Sequence, residues 1–258
     1  MDAGLVLTGF LVGVLVGLTG MGGGSLMTPI LVLIMGIKPT LAVGTDLFYA
    51  AITKMAGGTI HGFQRTVSFK VAGLLFAGSL PGSLIAGYLL GELKRTYGDQ
   101  LDMMIAKGVG LMLILVSISL LAPNLFRKEA AREKPDEENW SFQKLAILPV
   151  TGLIVGFLVT LTSIGSGTLI CACLFLFFPA LGAAKIVGTD IVHAAGLVSV
   201  AAMAHFFVGD VDFNLAGNLL IGSLPGIALG SRLVVVIPEY VLRYSMSGVM
   251  LMAGIKLV

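Results

Sequence analysis

Long apolar runs alternate with short polar interruptions along the whole chain. They fall at about 5–18, 25–36, 41–61, 70–90, 103–122, 145–161, 168–180, 187–207, 214–232 and 241–257. A bilayer-crossing helix needs roughly 20 apolar residues, with about 17 as a lower limit. The third, fourth and fifth runs meet that length. The first two are shorter and are parted by Gly20-Met21-Gly22-Gly23-Gly24. They predict a broken, re-entrant hairpin of half-helices, with Ser25 as the N-cap of the second. Non-helical backbone at membrane depth survives only inside protein or beside a water-filled cavity. A helix that starts there aims free N–H groups and the positive end of its dipole at whatever occupies that space. The pattern therefore predicts an anion site at a broken helix.

The pattern also repeats. Val43-Gly44-Thr45-Asp46 returns as Val187-Gly188-Thr189-Asp190, Gly78-Ser79-Leu80-Pro81-Gly82 returns as Gly222-Ser223-Leu224-Pro225-Gly226, and His61 returns as His205, all at one offset. One residue out of that register, Gly9, Gly13, Gly22, Gly24, Ser25 and Leu26 match Gly152, Gly156, Gly165, Gly167, Thr168 and Leu169. The chain divides into a first transmembrane repeat, 1–126, a polar cytoplasmic linker, 127–144, and a second repeat, 145–258. Each half has five apolar segments. With the first two of each half forming a broken hairpin, an odd number of crossings remains, so the halves run in opposite directions. Charge agrees with this. The loop 62–70 carries Arg65 and Lys70, whereas its repeat, 208–214, carries Asp210 and Asp212. The positive-inside rule puts the first loop in the cytoplasm and the second outside. That register places the linker, Lys185, Arg232 and Arg243 inside, and Lys38, Lys94, Arg95 and Lys256 outside. The fold class predicted is all-α and polytopic, with two inverted-topology repeats.

Composition strengthens the membrane reading. The chain is 57% apolar and 12% charged, with a mean hydropathy of +1.01; a soluble domain carries about a quarter charged residues. A net charge of +2 without a basic, aromatic-laced patch excludes nucleic acid as a partner. Cys171 and Cys173 stand too close for a disulfide and lack companions for a metal site, so they read as packing residues. Trp140 fits an interfacial anchor. The N-terminus lacks the basic start of a cleaved signal, so its apolar segment is expected to be retained.

Candidate chemistry lies in a few polar side chains inside the apolar runs. Asp46 and Asp190 are the embedded carboxylates. Two readings stand for them: proton carriers or polar cavity walls, and structural groups that cap a helix or bind the neighbouring break. Tyr49 and Thr53 share the face of Asp46, and His193 that of Asp190. Lys54 is the one cation in mid-run, and its repeat partner is Val198. It reads either as the countercharge of one anionic substrate or as a snorkelling side chain. His61 and His205 read as interfacial residues or as a titrating gate. Pro81 and Pro225 predict kinks or hinges. Gly9, Gly13 and Gly17 predict close helix contact. The glycine run lacks the Gly-Lys-Ser/Thr ending of a nucleotide loop. No catalytic spacing favours an enzyme, and no cofactor or metal is implied.

Taken together, the motif from Gly17 to Ser25, Pro29, Val43-Gly44-Thr45 and the Gly78–Gly82 pentapeptide resemble the TauE/SafE sulfite exporter family, also called the toluene-sulfonate uptake permeases, over nearly the whole chain. The second half departs from the pattern, with Ile164-Gly165-Ser166-Gly167-Thr168 in place of the fuller glycine run. The resemblance implies an inner-membrane, multi-pass secondary transporter of sulfite or organosulfonates such as sulfoacetate. It carries Gly22, Gly23, Gly24, Ser25, Thr45 and Asp46 over as site positions, together with their repeats Gly165, Ser166, Gly167, Thr168, Thr189 and Asp190; Lys54 joins them as the candidate charge. The expected partners are a small anion, lipid and a coupling proton taken by Asp46, Asp190, His61, His193 or His205; a homodimer is left open. A passive anion channel using the same loops as a filter, and a cation or metal carrier using the embedded Asp and His residues, remain as alternatives.

Overall fold

A computed structural model describes residues 2–19, 24–121, 140–233 and 239–258. Gly22, Gly23 and the linker up to residue 139 lie outside the described residues. Within them the chain is helical and contains no strand. Ten helices follow in order: α1 (Ala3–Thr19), α2 (Gly24–Leu33), α3 (Pro39–Phe63), α4 (Phe69–Tyr97), α5 (Gln100–Leu121), α6 (Phe142–Thr162), α7 (Thr168–Phe177), α8 (Ala183–Val208), α9 (Phe213–Leu233) and α10 (Glu239–Leu257). A 3₁₀ turn, Pro179–Leu181, links α7 to α8.

Five of these, α4, α5, α6, α8 and the Phe213–Gly230 part of α9, are long and apolar enough to cross a membrane. Their outward faces carry large apolar side chains such as Leu84, Leu111, Ile154, Met203 and Leu229, all exposed, as lipid contact requires. The 25-residue α3 is long enough but is not among the five; Asp46 and Lys54 interrupt its apolarity. The hairpin expectation needs one correction. In the second half the first segment is not a half-helix: α6 starts at Phe142, where Ser141 accepts from the Lys144 N–H at 3.3 Å, and runs 21 residues. Only α7, ten residues and roughly 15 Å long, is too short to cross. Trp140, ahead of α6, stacks edge-on against Phe178 at 4.8 Å.

Glycine determines how the helices pair. On α1, a Cβ at Gly9 or Gly13 would strike the Leu219 or Ser223 carbonyl of α9; on α9, one at Gly222, Gly226 or Gly230 would strike the carbonyls of Val6, Phe10 or Val14. The same interlock joins α6 to α4: Gly152 and Gly156 face Leu75 and Ser79, and Gly78 and Gly82 face Pro149 and Leu153. Backbones this close gain dispersion and weak Cα–H···O contacts, the usual currency of helix association in lipid. Thus Gly9 and Gly13 pack as their spacing predicts. Both pairs run parallel. By contrast, α3 and α8 run antiparallel, with Gly44 against His205 and Asp210, and Gly57 against Ile191. Helices α5 and α10 are also antiparallel, with Gly110 on Gly254 and the Ser117 and Ser247 hydroxyls 2.8 Å apart. Neither Pro81 nor Pro225 interrupts its helix.

At one end of the molecule, the segment joining α8 to α9 is tied to the first half. Lys94 donates to the Val208 carbonyl at 2.9 Å and pairs with Asp210 at 2.6 Å. Close by, Lys38 pairs with Asp99 at 3.1 Å, which holds its ammonium above the ordinary lysine range. Thr40 donates to Asp102 at 2.7 Å. These side chains line a polar hollow of about 310 Å³.

Candidate functional site

The site is built where α3 meets the break between α6 and α7. Helix α6 ends at Thr162. Ser163 follows in the left-handed region, with φ 61°, and Gly165 has φ 102°, which a side chain would strain. Helix α7 then begins at Thr168 with Gly167 as its N-cap and no side chain capping the first turn. The break reaches across to α3 through two serines. Ser163 Oγ donates to Asp46 Oδ2 at 2.9 Å, and Lys54 Nζ donates to Ser166 Oγ at 2.9 Å. Asp46 and Lys54 lie eight residues apart, two turns and a little more along one face of α3, so one break can hold both.

Asp46 also meets the short helix of its own half. Thr28 of α2 donates to Asp46 Oδ2 at 2.6 Å. Cys171, half-buried, occupies the matching position on α7 of the second half. The Gly-Ser-Leu-Pro-Gly helix of the first half is tied to α8, His193 Nε2 lying 3.0 Å from Ser79 Oγ of α4; at the place on α3 that matches His193, the Tyr49 hydroxyl is buried without a hydrogen-bond partner, and Ser223 occupies the matching place on α9. All these residues except Cys171 are buried.

The structure resolves several open readings. Lys54 is only 8% exposed and points inward, so it does not snorkel. Asp46 does bind the neighbouring break, the structural role its sequence left open. Ser25 is not an N-cap: α2 starts one residue earlier, at Gly24, and the buried Ser25 Oγ has no partner. Thr168 Oγ1, Asp46 Oδ1, Asp190 Oδ1 and His193 Nδ1 are likewise buried without partners. Buried polar atoms are normally satisfied; these open valences are spread over α2, α3, α7 and α8. The histidines divide. His61 is partly exposed, its Nδ1 2.9 Å from the Thr66 hydroxyl, as an interfacial residue would be. His205 is fully buried and donates from Nε2 to the Thr160 carbonyl at 2.8 Å, which corrects the interfacial reading for that residue. Among the described residues, no three His, Cys, Asp or Glu side chains converge as a metal site.

Thr45 and Thr189 sit on backbone. Thr45 Oγ1 accepts from the Asp212 N–H at 3.0 Å, and Thr189 Oγ1 from the Ser68 N–H at 2.9 Å. Beside them Gly44 and Gly188 leave room for the Asp210 and Thr66 carbonyls. Each Val-Gly-Thr-Asp motif therefore clamps the connecting loop of the opposite half with its Gly and Thr, and turns its Asp inward. Thr45→Val and Thr189→Val should each cost about 0.5–1.5 kcal/mol, read as a lower Tm in detergent. A full loss of anion binding with Tm unmoved would instead place these hydroxyls on the substrate.

Sequence reasoning missed Ser163, Thr28, Cys171, Ser79 and Ser223 as members of this polar set. A signal existed: the offset that pairs the carboxylates also pairs Ser79 with Ser223 and Tyr49 with His193, and the neighbouring offset that pairs the glycine runs pairs Thr28 with Cys171.

Comparison with known proteins fits this geometry. A family model described as sulfite exporter TauE/SafE matches residues 5–257. The chain is 39% identical over 258 residues to the probable membrane transporter protein YjnA of Bacillus subtilis, covering all of both chains. It is 27% identical over 248 residues to the probable membrane transporter protein YunE of the same organism, covering 89% of this chain and 87% of that one. Against the probable membrane transporter protein MJ0441 of Methanocaldococcus jannaschii the identity is 31% over 173 residues, covering 64% and 58%. No solved structure matches the chain. Because the match runs from α1 to α10 and takes in both motif repeats, this multi-pass membrane protein belongs to the sulfite exporter TauE/SafE family.

Proposed function

We propose that the protein is a secondary transporter of a small sulfur-containing anion, sulfite or an organosulfonate such as sulfoacetate, which it holds between the starts of α2 and α7. The observation that carries this reading is Lys54, a buried ammonium delivered by α3 to Ser166 at the uncapped start of α7. A helix N-terminus and a cation at one point form a site for negative charge. Ser25 and Thr168, with open hydroxyls, supply further donors.

The reciprocal pairing of α1 with α9 and α4 with α6, and the antiparallel pairing of α3 with α8 and α5 with α10, support two inverted halves around that site. Such halves alternate access by rocking about a midplane centre, with Pro81 and Pro225 as the flexure points. The buried charge balance favours proton coupling. Among the described residues one buried cation, Lys54, accompanies the two buried carboxylates Asp46 and Asp190, so an arriving anion meets net negative charge unless a carboxyl is protonated.

Thermal shift of the full chain in detergent tests the reading with sulfite, sulfoacetate, thiosulfate, sulfate and chloride, and with sodium and zinc as cation controls. A sulfur anion at 100 times its Kd should add about 2.7 kcal/mol to stability. A shift with cations alone would reverse the assignment. In proteoliposomes, uptake of that anion should follow an imposed proton gradient; uptake indifferent to it would favour a passive channel.

A further inference from the structure

Helix α3 grips the α6–α7 break at two points, and the sequence allows neither grip to be repeated in the other half. Ser163 Oγ donates to Asp46 Oδ2 at 2.9 Å, and Lys54 Nζ donates to Ser166 Oγ at 2.9 Å. By the offset that matches the glycine runs, these two serines correspond to Gly20 and Gly23, which have no hydroxyl. By the offset that matches the carboxylates, Lys54 corresponds to Val198, which has no charge. The seat between the two short helices is thus fixed from one side, by α3 of the first half holding the break of the second. Asp46 Oδ2 also accepts from Thr28 of α2 at 2.6 Å, so a single oxygen joins α2, α3 and the break. Thr28, Asp46, Lys54, Ser163 and Ser166 are all buried.

The break needs such a hold. Ser163 has φ 61°, and a residue other than glycine stays in the left-handed region only where its surroundings impose it. The Ser163 N–H donates to the Val159 carbonyl at 2.7 Å, and the Ile164 N–H to Thr162 Oγ1 at 3.2 Å. Both bonds tie the break back to α6; the Ser163 hydroxyl ties it to α3, three residues ahead of Ser166. Resting on the anion-transport reading, we propose that Asp46 is a positioning residue: as the shared acceptor of Thr28 and Ser163, it sets the α6–α7 break against α3 so that Ser166 meets Lys54 where the anion is held. A negative charge close to the seat of an anion works against binding, so the carboxylate contributes in another way, as the oxygen that holds two hydroxyls. The role requires an acceptor at that place and not a charge. Asparagine supplies the same oxygen on a side chain of the same shape, and alanine supplies none.

The test uses the purified full chain in detergent, with sulfite as probe and calorimetry as readout, in wild-type, Asp46→Ala, Asp46→Asn and Ser163→Gly forms. Ser163→Gly removes the tie and also relieves the left-handed backbone. Its Tm should hold while sulfite binds about tenfold more weakly, the size of one lost hydrogen bond to a charged group. Asp46→Ala should bind at least as weakly, and Asp46→Asn should recover most of that affinity. Asp46→Asn as weak as Asp46→Ala would make the charge the thing that counts and overturn the assignment; so would wild-type affinity in Ser163→Gly. If Asp46→Ala does not fold, Ser163→Gly and Asp46→Asn decide alone: weaker binding in the first than in the second upholds the assignment, and equal affinity overturns it. Hydrogen exchange at the amides of residues 163–168 needs no anion and separates positioning from cargo. If sulfite does not bind the wild type, the cargo reading fails. Exchange that is faster in Asp46→Ala and slowed back toward wild type in Asp46→Asn still upholds the role of Asp46, and equal exchange in wild type and both variants overturns it.

Discussion

Lys54→Met should leave a folded protein that has lost its anion. Methionine has similar length and no charge, so it fills the same buried space. Removing the ammonium also removes its desolvation cost, but it leaves two buried carboxylates without a countercharge, which costs stability unless one of them takes up a proton. Ser166 loses a donor but keeps its own hydroxyl hydrogen and can turn it to a nearby carbonyl. The Tm of the empty variant should therefore fall at neutral pH and recover as the pH is lowered. Anion binding should not hold. A hydrogen bond to a charged group contributes about 1.5–3 kcal/mol, and each 1.4 kcal/mol is about tenfold in affinity. The loss should be roughly tenfold to a hundredfold in Kd, with flux at low anion concentration falling by the same factor. Lys54→Arg should rescue only part of this, because the planar guanidinium does not fit the room left by a point charge. Unchanged affinity in a folded Lys54→Met protein would remove Lys54 from the site.

That Lys54 reaches the centre was not legible in the chain. Helical spacing puts it roughly on the face of Asp46 but does not say whether a long stem turns inward or climbs toward water. The partner that decides it, Ser166, lies 112 residues away in the other half. The repeat itself was fully legible, because matched blocks at near-constant offset need no coordinates. It also held more than was drawn from it: the neighbouring offset pairs Thr28 of α2, which faces Asp46, with Cys171 of α7. Ser163 could not be found that way, since its counterpart is Gly20, which has no side chain. The length of α6 was obscured for a related reason. The matched residues begin only at Gly152, while the helix starts at Phe142 and runs through Pro149. The Gly-Ser-Leu-Pro-Gly motifs drew attention for their prolines. Their glycines make the contacts, and Ser79 reaches His193.

The two motif glycines provide the sharpest test of that packing, because each helix carries its own control. In α4, Gly78 faces the Pro149 carbonyl so closely that a Cβ could not coexist with it, while Gly73, five residues earlier, has nothing within 4 Å of such an atom. The second half repeats the contrast: Gly222 faces the Val6 carbonyl, and Gly217 has open space. Alanine has a helix propensity better than glycine by about 0.8–1.0 kcal/mol. Gly73→Ala and Gly217→Ala should therefore be neutral or stabilising by up to about 1 kcal/mol. Gly78→Ala and Gly222→Ala gain the same propensity but must push two backbones apart. Overpacking costs about 1–3 kcal/mol even where side chains can yield, and here the obstacle is a carbonyl in a neighbouring helix. The separation would also open every other glycine contact along the pair, since Gly82, Gly152 and Gly156 depend on the same α4–α6 approach. Loss of the folded, monodisperse protein is expected for both, read as a collapsed yield and a sharply lowered Tm in detergent. The expected order is thus Gly73→Ala and Gly217→Ala at or above wild type, and Gly78→Ala and Gly222→Ala far below it. Equal Tm values for Gly73→Ala and Gly78→Ala would mean that α4 and α6 do not approach as closely as described, and with them the placement of His193 against Ser79 would fall.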